Sequence, residues 1–474
     1  MPISHSLFTR YRAEAKKLLI LSLPIIGAQM AAAGMTFVDV SMAGQYSSLD
    51  LAAVAIGSSI WGPVYYLIRG VLMSITPIVA QQFGAQDYRG IRHKTRQGIW
   101  VTIIMMFLGL AVVMSPGAVL DLLNVNPDIS ALAQQYLHAL AFGIPGMCLY
   151  QLMASYCEGL SDTRAPMFAG IAALLVNIPA NYVLIYGKFG LPALGGVGCG
   201  YATAICFTLM TVIMFIYIRN SPRHERTSPF NRYEGPVWSD IREHLTLGLP
   251  VGAGLFIETT IFAVIALLIG KLGVEVVAGH QVALNVASLV YIIPVSLGAG
   301  VTILVGQHLG AEKPVEASFS SFTGIFTAIV CGTLMAVCIV SFSEQIAGLY
   351  SRDSGVIHLA AQLMWFAAAY QISDSIHLVA VGALRGYKDT RVPMFVLMFA
   401  CWVIALPLGY TLGLTDTFVG AMGPYGFWIG LITALTMSAA LNFWRLWKIS
   451  RRWVRTGDKV QQPYAGAEPV GQAA

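Results

Sequence analysis

Three acidic residues of this chain stand alone inside apolar segments. Asp39, Glu258 and Asp374 are each the only charged residue in a stretch of more than about 20 residues. A carboxylate in apolar surroundings resists ionisation, so it can take up a proton near neutral pH. It can also collect oxygen ligands around a hard cation such as Na⁺. The chemistry predicted for these residues is therefore the binding and release of a small cation.

Two of these acids have residues nearby that could tune them. Tyr370 precedes Asp374 by four residues, about one helical turn, so the two side chains share a face and the phenol can donate to the carboxylate. We predict that Glu258, Asp374, Tyr370 and Asp39 are cation-coupling residues, with Na⁺ or H⁺ as the ion and a possible Na⁺ site at Glu258 and Asp374. A purely structural buried pair is the alternative.

Asp39 lies nearer the outer end of its segment, where a cap or a snorkelling side chain is a real alternative to function. Asn177 and Asn181 are one turn apart in a later apolar segment, and Thr203 lies in the next one. We predict that these three residues form a secondary polar site with Asp39. Asparagines in apolar spans can equally hydrogen-bond between helices as packing contacts.

Other polar residues could line a pathway. His280, Gln281 and Asn285 form a polar cluster in one predicted helix, and His377 follows Asp374 by three residues, where it could relay protons. A histidine whose nitrogens are satisfied by a backbone carbonyl is the alternative.

Arg69 lies deep within a predicted span. It could pair with a carboxylate such as Glu158, or it could repel cations and so shape selectivity. Both interpretations remain open.

The composition places all these residues in a membrane. The 474-residue chain is 57% apolar and 11% charged, with a mean hydropathy of +0.70, whereas soluble domains carry about 25% charged residues. Apolar runs of about 20 residues recur along the chain and predict an all-α integral membrane protein with twelve transmembrane helices. The predicted helices cover residues 18–44, 51–82, 97–120, 129–157, 165–187, 194–218, 245–270, 276–307, 318–343, 355–384, 392–413 and 422–448.

The two halves of the chain are related by an internal repeat. SLPIIGA at 22–28 matches GLPVGAG at 248–254, and DTRAPMF at 162–168 matches DTRVPMF at 389–395. Six helices per half is an even number, so both halves begin on the same side of the membrane. This predicts two six-helix lobes related by a pseudo-two-fold axis along the membrane normal, as in parallel-repeat transporters.

Basic residues predict the orientation. With the N-terminus inside, 24 of the 28 Lys and Arg residues fall on the cytoplasmic side, so we expect both termini there and see no reason to invoke nucleic acid. The predicted divisions are a first lobe at 1–218, a cytoplasmic linker at 219–243, a second lobe at 244–453 and a disordered tail at 454–474.

Blocks of sequence in this order resemble the multidrug and toxic compound extrusion (MATE) family, in its NorM-like bacterial branch. They are FVDVSMAG around Asp39, LAAVAIGSSIW at 51–61, TPIVAQQFGA at 76–85, GLPVGAGLFIE ending at Glu258, AGHQVALN at 278–285 and YQISDSI around Asp374. The resemblance implies a V-shaped pair of lobes that exports organic cation drugs in exchange for Na⁺ or H⁺. By resemblance, Glu258, Asp374 and Tyr370 match the family's second-lobe cation site.

These observations together predict a multi-pass protein of the bacterial inner membrane that acts as a monomeric antiporter, without a cofactor. GxSxG, HExxH and phosphate-loop motifs are absent, which argues against an enzyme. The alternative is a flippase for a lipid-linked precursor. An anionic lipid calls for several basic residues in the spans, and Arg69 is almost the only one.

Overall fold

The structure is a bundle of long helices. This computed structural model describes residues 2–122, 125–416 and 420–456, and every regular element in these ranges is helical. Eleven described helices are long and apolar enough to cross a membrane alone, and a pair bent by 48° between Ala141 and Ile144 makes the twelfth span. These spans coincide in order and position with the predicted ones, which confirms the all-α, twelve-span fold.

The helices divide at the middle of the chain into a first lobe and a second lobe. The first lobe contains α1 (Pro2–Tyr46), α2 (Ser48–Leu72), α3 (Ile75–Gly84), α4 (Tyr88–Val113), α5 (Gly117–Leu122), α6 (Pro127–Ala141), α7 (Ile144–Gly159), α8 (Arg164–Tyr186) and α9 (Gly196–Asn220). The second contains α10 (Trp238–Ile269), α11 (Val274–Gly310), α12 (Pro314–Ser341), α13 (Ser343–Tyr350), α14 (Ser354–Gly386), α15 (Arg391–Met398), α16 (Leu406–Leu414) and α17 (Pro424–Thr456). A π-helix, Phe399–Ala405, joins α15 to α16 within one span.

The repeat is visible in the contacts between the lobes. Gln81 Nε2 donates to the carbonyl oxygen of Gly386 at 3.0 Å, and Gln307 Nε2 donates to that of Gly159 at 3.1 Å. The two glutamines are separated by the repeat offset of 226 residues, and the two glycines by 227. Two reciprocal bonds between equivalent residues are what a pseudo-two-fold axis through this contact requires.

The lobes approach closely along this contact. A Cβ atom added to Gly84 would meet the carbonyl oxygen of Gln307, and one added to Gly310 would meet that of Gln81. Glycine at both equivalent positions therefore allows backbone to lie against backbone.

The hydrophobic cores show where the lobes meet. We call the end of the bundle at which α1 begins and α17 ends the terminal face. Near it, Leu18, Leu21 and Ile25 of the first lobe share one core with residues of α11 and α14 such as Val301 and Ala383. Farther from it, a core that runs from Ile261 to Leu435 in sequence is built from second-lobe residues alone. The lobes are thus joined at the terminal face and built separately beyond it.

The repeated DTR motifs fasten the last helix of each lobe. Asp162 accepts hydrogen bonds from Tyr217 at the end of α9 and from His224 in the connecting segment, at 2.8 and 3.0 Å. Burial alone raises the pKa of Asp162, but these hydrogen bonds outweigh it and hold the pKa below its ordinary value. In the second lobe, Asp389 pairs with Arg445 of α17 at 2.8 Å. A structural role for the motifs fits these contacts.

The observed helix ends shift the expected divisions by a few residues. The connecting segment is shorter than 219–243, because α9 continues to Asn220 and α10 already begins at Trp238, where ion pairs anchor its first turns. At the other end, α17 continues to Thr456. The remainder of the predicted tail, 457–474, lies outside the described residues.

Candidate functional site

The Asp39 carboxylate receives hydrogen bonds from two other helices of its lobe. Asn177 and Asn181 of α8 donate to Oδ1 at 3.0 and 2.6 Å, and Thr203 of α9 donates to Oδ2 at 2.9 Å. The structure thus brings together all four residues predicted for the secondary polar site. The three hydrogen bonds hold the Asp39 carboxylate against α8 and α9. Asp39 is therefore neither a helix cap nor a side chain that snorkels to the membrane surface.

The arrangement around Asp39 also leaves oxygens available to a ligand. The side-chain oxygens of Asn177 and Asn181 are buried and have no hydrogen-bond partner among the described residues. Buried amide oxygens without donors are costly unless something satisfies them. Amide and carboxylate oxygens together are the ligands that a hard cation takes.

Asp374 is the most isolated acid in the described structure. Its side chain is 0% exposed, and neither oxygen has a hydrogen-bond partner within the described ranges. The half-buried Glu258 of α10 lies close enough for the two charges to repel each other. Two neighbouring carboxylates without a counter-ion cannot both stay ionised in a low dielectric, so the pair needs a proton or a cation.

The predicted hydrogen bond from Tyr370 to Asp374 is not made. The Tyr370 ring packs edge-on against Phe262 and Trp428, with ring centroids 6.4 and 6.3 Å apart. Side chains on a helix lean towards its N-terminus, so the long tyrosine reaches away from a residue one turn later. Tyr370 remains buried beside the acid pair, but its hydroxyl does not satisfy Asp374.

Residues of both lobes surround the acid pair. The charge of Glu258 acts on Tyr66 of α2 in the first lobe and on Tyr291 of α11 in the second. Arg69, one turn after Tyr66, donates to Gln29 of α1 at 2.8 Å and makes no ion pair with Glu158. Of the two open interpretations of Arg69, the ion pair with Glu158 is therefore not formed, and the guanidinium binds a neutral amide instead.

Glu158 lies nearby and is influenced by two arginines. Its carboxylate accepts a hydrogen bond from Thr76 at 3.4 Å and is within electrostatic range of Arg69 and Arg385. Glu158 and Arg385 precede Gly159 and Gly386, the glycines that accept hydrogen bonds from Gln307 and Gln81 in the two contacts that we call the gate. The repeat therefore places opposite charges at equivalent positions. The region around the acid pair thus holds three acids, Glu158, Glu258 and Asp374, and two arginines, Arg69 and Arg385, among its described residues.

The pathway residues separate into different environments. His280 is 1% exposed and neither ring nitrogen has a partner among the described residues, whereas Gln281 and Asn285 are on an exposed face of the same helix. The expected polar cluster is therefore not formed, because successive helical residues point about 100° apart. His377 is hydrogen-bonded to Ser438 at 3.1 Å, so a side chain, not the expected carbonyl, satisfies it.

An ion-pair network at the terminal face was not predicted from the sequence. Glu243 near the start of α10 binds Lys94 of α4 at 2.5 Å and Lys388 of the second lobe at 3.0 Å. Lys94 also binds Asp240 at 2.7 Å. From sequence these residues looked like ordinary loop charges. For the glutamines of the gate, the repeat offset of 226 was a usable signal.

The family comparison covers most of the chain. The family model described as MatE matches residues 24–183 and 250–411. Among curated proteins, Multidrug resistance protein MdtK of Proteus mirabilis is 44% identical over 444 residues, which cover 94% of this chain and 97% of that protein. Multidrug resistance protein PmpM of Pseudomonas aeruginosa is 44% identical over 471 residues, 99% of this chain and 98% of that protein.

Solved structures share the fold. The eukaryotic MATE transporter AtDTX14 superposes with a TM-score of 0.84 at 20% identity, covering 94% of this chain and 99% of that one. An outward-facing conformation of a multidrug resistance MATE family transporter superposes with a TM-score of 0.85 at 16% identity, covering 94% and 97%. At these identities the likeness concerns architecture: two lobes of six spans.

Proposed function

Because this chain belongs to the MatE family, whose members are membrane transporters and not enzymes, we propose that it exports organic cations in exchange for H⁺ or Na⁺. Its relatives MdtK and PmpM are named multidrug resistance proteins, which supports drugs as the substrates. The observation that carries the proposal is the acid pair: Asp374 is fully buried, the half-buried Glu258 lies beside it, and neither makes an ion pair with any residue that the structure describes.

The proposed orientation places the terminal face in the cytoplasm of a bacterial cell, with both termini inside. The support is the concentration of Lys and Arg on that side. With this orientation the contacts of Gln81 and Gln307 close the lobes towards the cytoplasm, and the proposed drug pathway between the lobes opens outward. The described conformation is then the state that releases drug and accepts the coupling ion.

Exchange follows from competition for negative charge. In the outward-open state a proton or Na⁺ neutralises the pair of Glu258 and Asp374, so a bound organic cation loses its counter-charge and leaves. After the lobes rock about their shared core and open inward, the small ion dissociates and the pair attracts another organic cation. Asp39 with Asn177 and Asn181 forms a secondary polar site that can take part in the same exchange.

Charge in the central region favours this function over a lipid flippase. Three acids, Glu158, Glu258 and Asp374, outnumber the two arginines, Arg69 and Arg385, among the described residues of this region. An anionic headgroup would be repelled by such a region, whereas an organic cation is attracted.

The proposal is tested by transport in proteoliposomes. Ethidium movement is followed under an imposed proton gradient, under an imposed Na⁺ gradient, and with neither. We expect ethidium to move against its own gradient with at least one of the two ions, and the movement to stop when an ionophore dissipates that gradient. If no organic cation moved under either gradient while a fluorescent anionic lipid crossed the bilayer, the flippase function would replace this one.

A further inference from the structure

Seven side chains at the terminal face form a row of alternating charge. In order they are Arg96, Glu234, His93, Asp240, Lys94, Glu243 and Lys388, and each contacts the next. The row begins on α4 of the first lobe and ends at Lys388 of the second, so it crosses the boundary between the lobes. The other six members are carboxylates, lysines and an arginine, and histidine is the one residue type among the seven that ordinarily titrates between about pH 5 and 8.

The geometry determines the protonation of His93 in this conformation. Its Nδ1 lies 2.7 Å from a carboxylate oxygen of Glu234, and its Nε2 lies 2.8 Å from one of Asp240. Glu234 also accepts a hydrogen bond from Arg96, and Asp240 also accepts one from Lys94. Both carboxylates are therefore ionised, and an ionised carboxylate can only accept hydrogen bonds. Both ring nitrogens must therefore carry hydrogen, and His93 is an imidazolium ion.

A neutral His93 cannot keep both contacts. Neutral imidazole has one N–H group, and its other nitrogen would present a lone pair to a carboxylate. One hydrogen bond is lost and the other loses its charge assistance. The His93 side chain is 41% exposed, so protons exchange with it directly from the aqueous side.

The contacts of His93 reach across the boundary between the two lobes at the terminal face. His93 lies near the start of α4 in the first lobe, whereas Asp240 lies in the first turn of α10 in the second. Glu234 lies in the segment that connects the lobes. The next member of the row, Lys94 of α4, also binds across this boundary, to Asp240 and Glu243 of α10.

We propose that His93 is a proton-binding site on the terminal face that latches the two lobes closed when it is protonated. The physiological role of this site rests on the proposed function, which places the terminal face in the cytoplasm. His93 then exchanges protons with the cytoplasm and responds to its pH. An acidic cytoplasm protonates His93 and so holds the transporter closed on that side. Closure on the cytoplasmic side limits further turnover. As the cytoplasm becomes alkaline, His93 loses its proton and the inward opening becomes easier.

The test measures opening of the terminal face directly. Spin labels on R89C and V315C, two exposed positions at equivalent places of the two lobes, report the distance across that face. The background carries C331S and C338S, because the other five of the seven native cysteines are buried. In lipid nanodiscs we expect the ratio of open to closed states to rise roughly fivefold from about pH 6 to about pH 8.

Three variants assign the response to His93. His93→Gln has no imidazolium and should show the open population at both pH values, whereas His93→Arg keeps a permanent charge and should stay closed at both. His358→Gln, at an exposed histidine on another helix, should respond as the wild type does.

The outcomes separate the latch from the transport function. A His93→Gln protein with the wild-type pH response, or a His93→Arg protein that still opens with rising pH, would overturn the proposal. Folding of each variant is checked by its elution as a monodisperse peak. The distance measurement needs no substrate or ion gradient, so it stands even if the proposed ion-coupled export fails its own test.

Discussion

Asp374→Asn should lower gradient-driven ethidium efflux by about 100-fold, because the variant loses the fully buried charge of the pair that ion and drug share and keeps only that of Glu258. Asp374 is completely buried and lacks any hydrogen-bond partner among the described residues, so its charge has no other evident role. Asparagine has nearly the same shape and should leave packing intact. Efflux rates are compared in proteoliposomes with equal amounts of incorporated protein.

Glu258→Gln should have an effect of similar size, since either acid alone lacks the second charge of the pair. The control variants are D128N and E316Q, which make the same chemical changes outside the central region. Both should transport at rates within about twofold of wild type, because exposed charges contribute little. Wild-type rates in the Asp374 and Glu258 variants would show that the coupling site lies elsewhere.

Glu243→Gln should destabilise the closed terminal face by about 3 kcal/mol. Glu243 is the shared counter-ion of Lys94 and Lys388, and all three side chains are less than 20% exposed. Removing one partner of a largely buried ion pair leaves an uncompensated charge, which costs more than the pair itself contributed. Lys94 keeps Asp240, but Lys388 loses the one ion pair that it makes in the described structure.

The effect is measured with the same pair of spin labels across the terminal face. In Glu243→Gln the open population should dominate, and the double variant E243Q/K388Q should recover much of the closed population, because the unpaired lysine is gone. E316Q again serves as the control, since Glu316 makes an exposed pair with Arg10 at 2.8 Å. A Glu243→Gln protein that remained closed would mean that the glutamine contacts and the apolar core suffice for closure.

The spans and the Asp39 site could be predicted from the sequence because lipid imposes simple rules. A chain must stay apolar for about 20 residues to cross a bilayer, and a polar side chain within such a run needs a partner. Asp39, Asn177, Asn181 and Thr203 are such interruptions in three spans of the same half. Their mutual hydrogen bonds follow from the absence of other partners.

The terminal-face network could not be predicted in this way. His93, Lys94 and Glu243 lie at the ends of spans, where charged residues are common in membrane proteins. Water can hydrogen-bond such side chains as readily as an ion-pair partner can, so their presence does not predict a contact. Their partners are far away in sequence and are set by how the two lobes dock. Only the tertiary structure shows that His93 bridges two carboxylates.

Side-chain direction explains the other differences. Sequence spacing correctly placed Tyr370 and Asp374 on one helix face, but it did not show that the tyrosine ring leans away towards Trp428. Likewise, His280 and Gln281 are neighbours in sequence yet lie on a buried and an exposed face. Proximity along a helix predicts contact only when the directions of the side chains agree.

The central claim is that one buried acid pair serves the organic cation and the coupling ion in turn. Equilibrium binding of ethidium to the purified protein tests it directly, with titration by Na⁺ at about pH 8 and by protons from about pH 8 to about pH 6. We expect at least one of these ions to displace ethidium from the wild type, and the displacement to be absent in Asp374→Asn. Ethidium binding to the wild type that neither Na⁺ nor protons weaken would contradict the account.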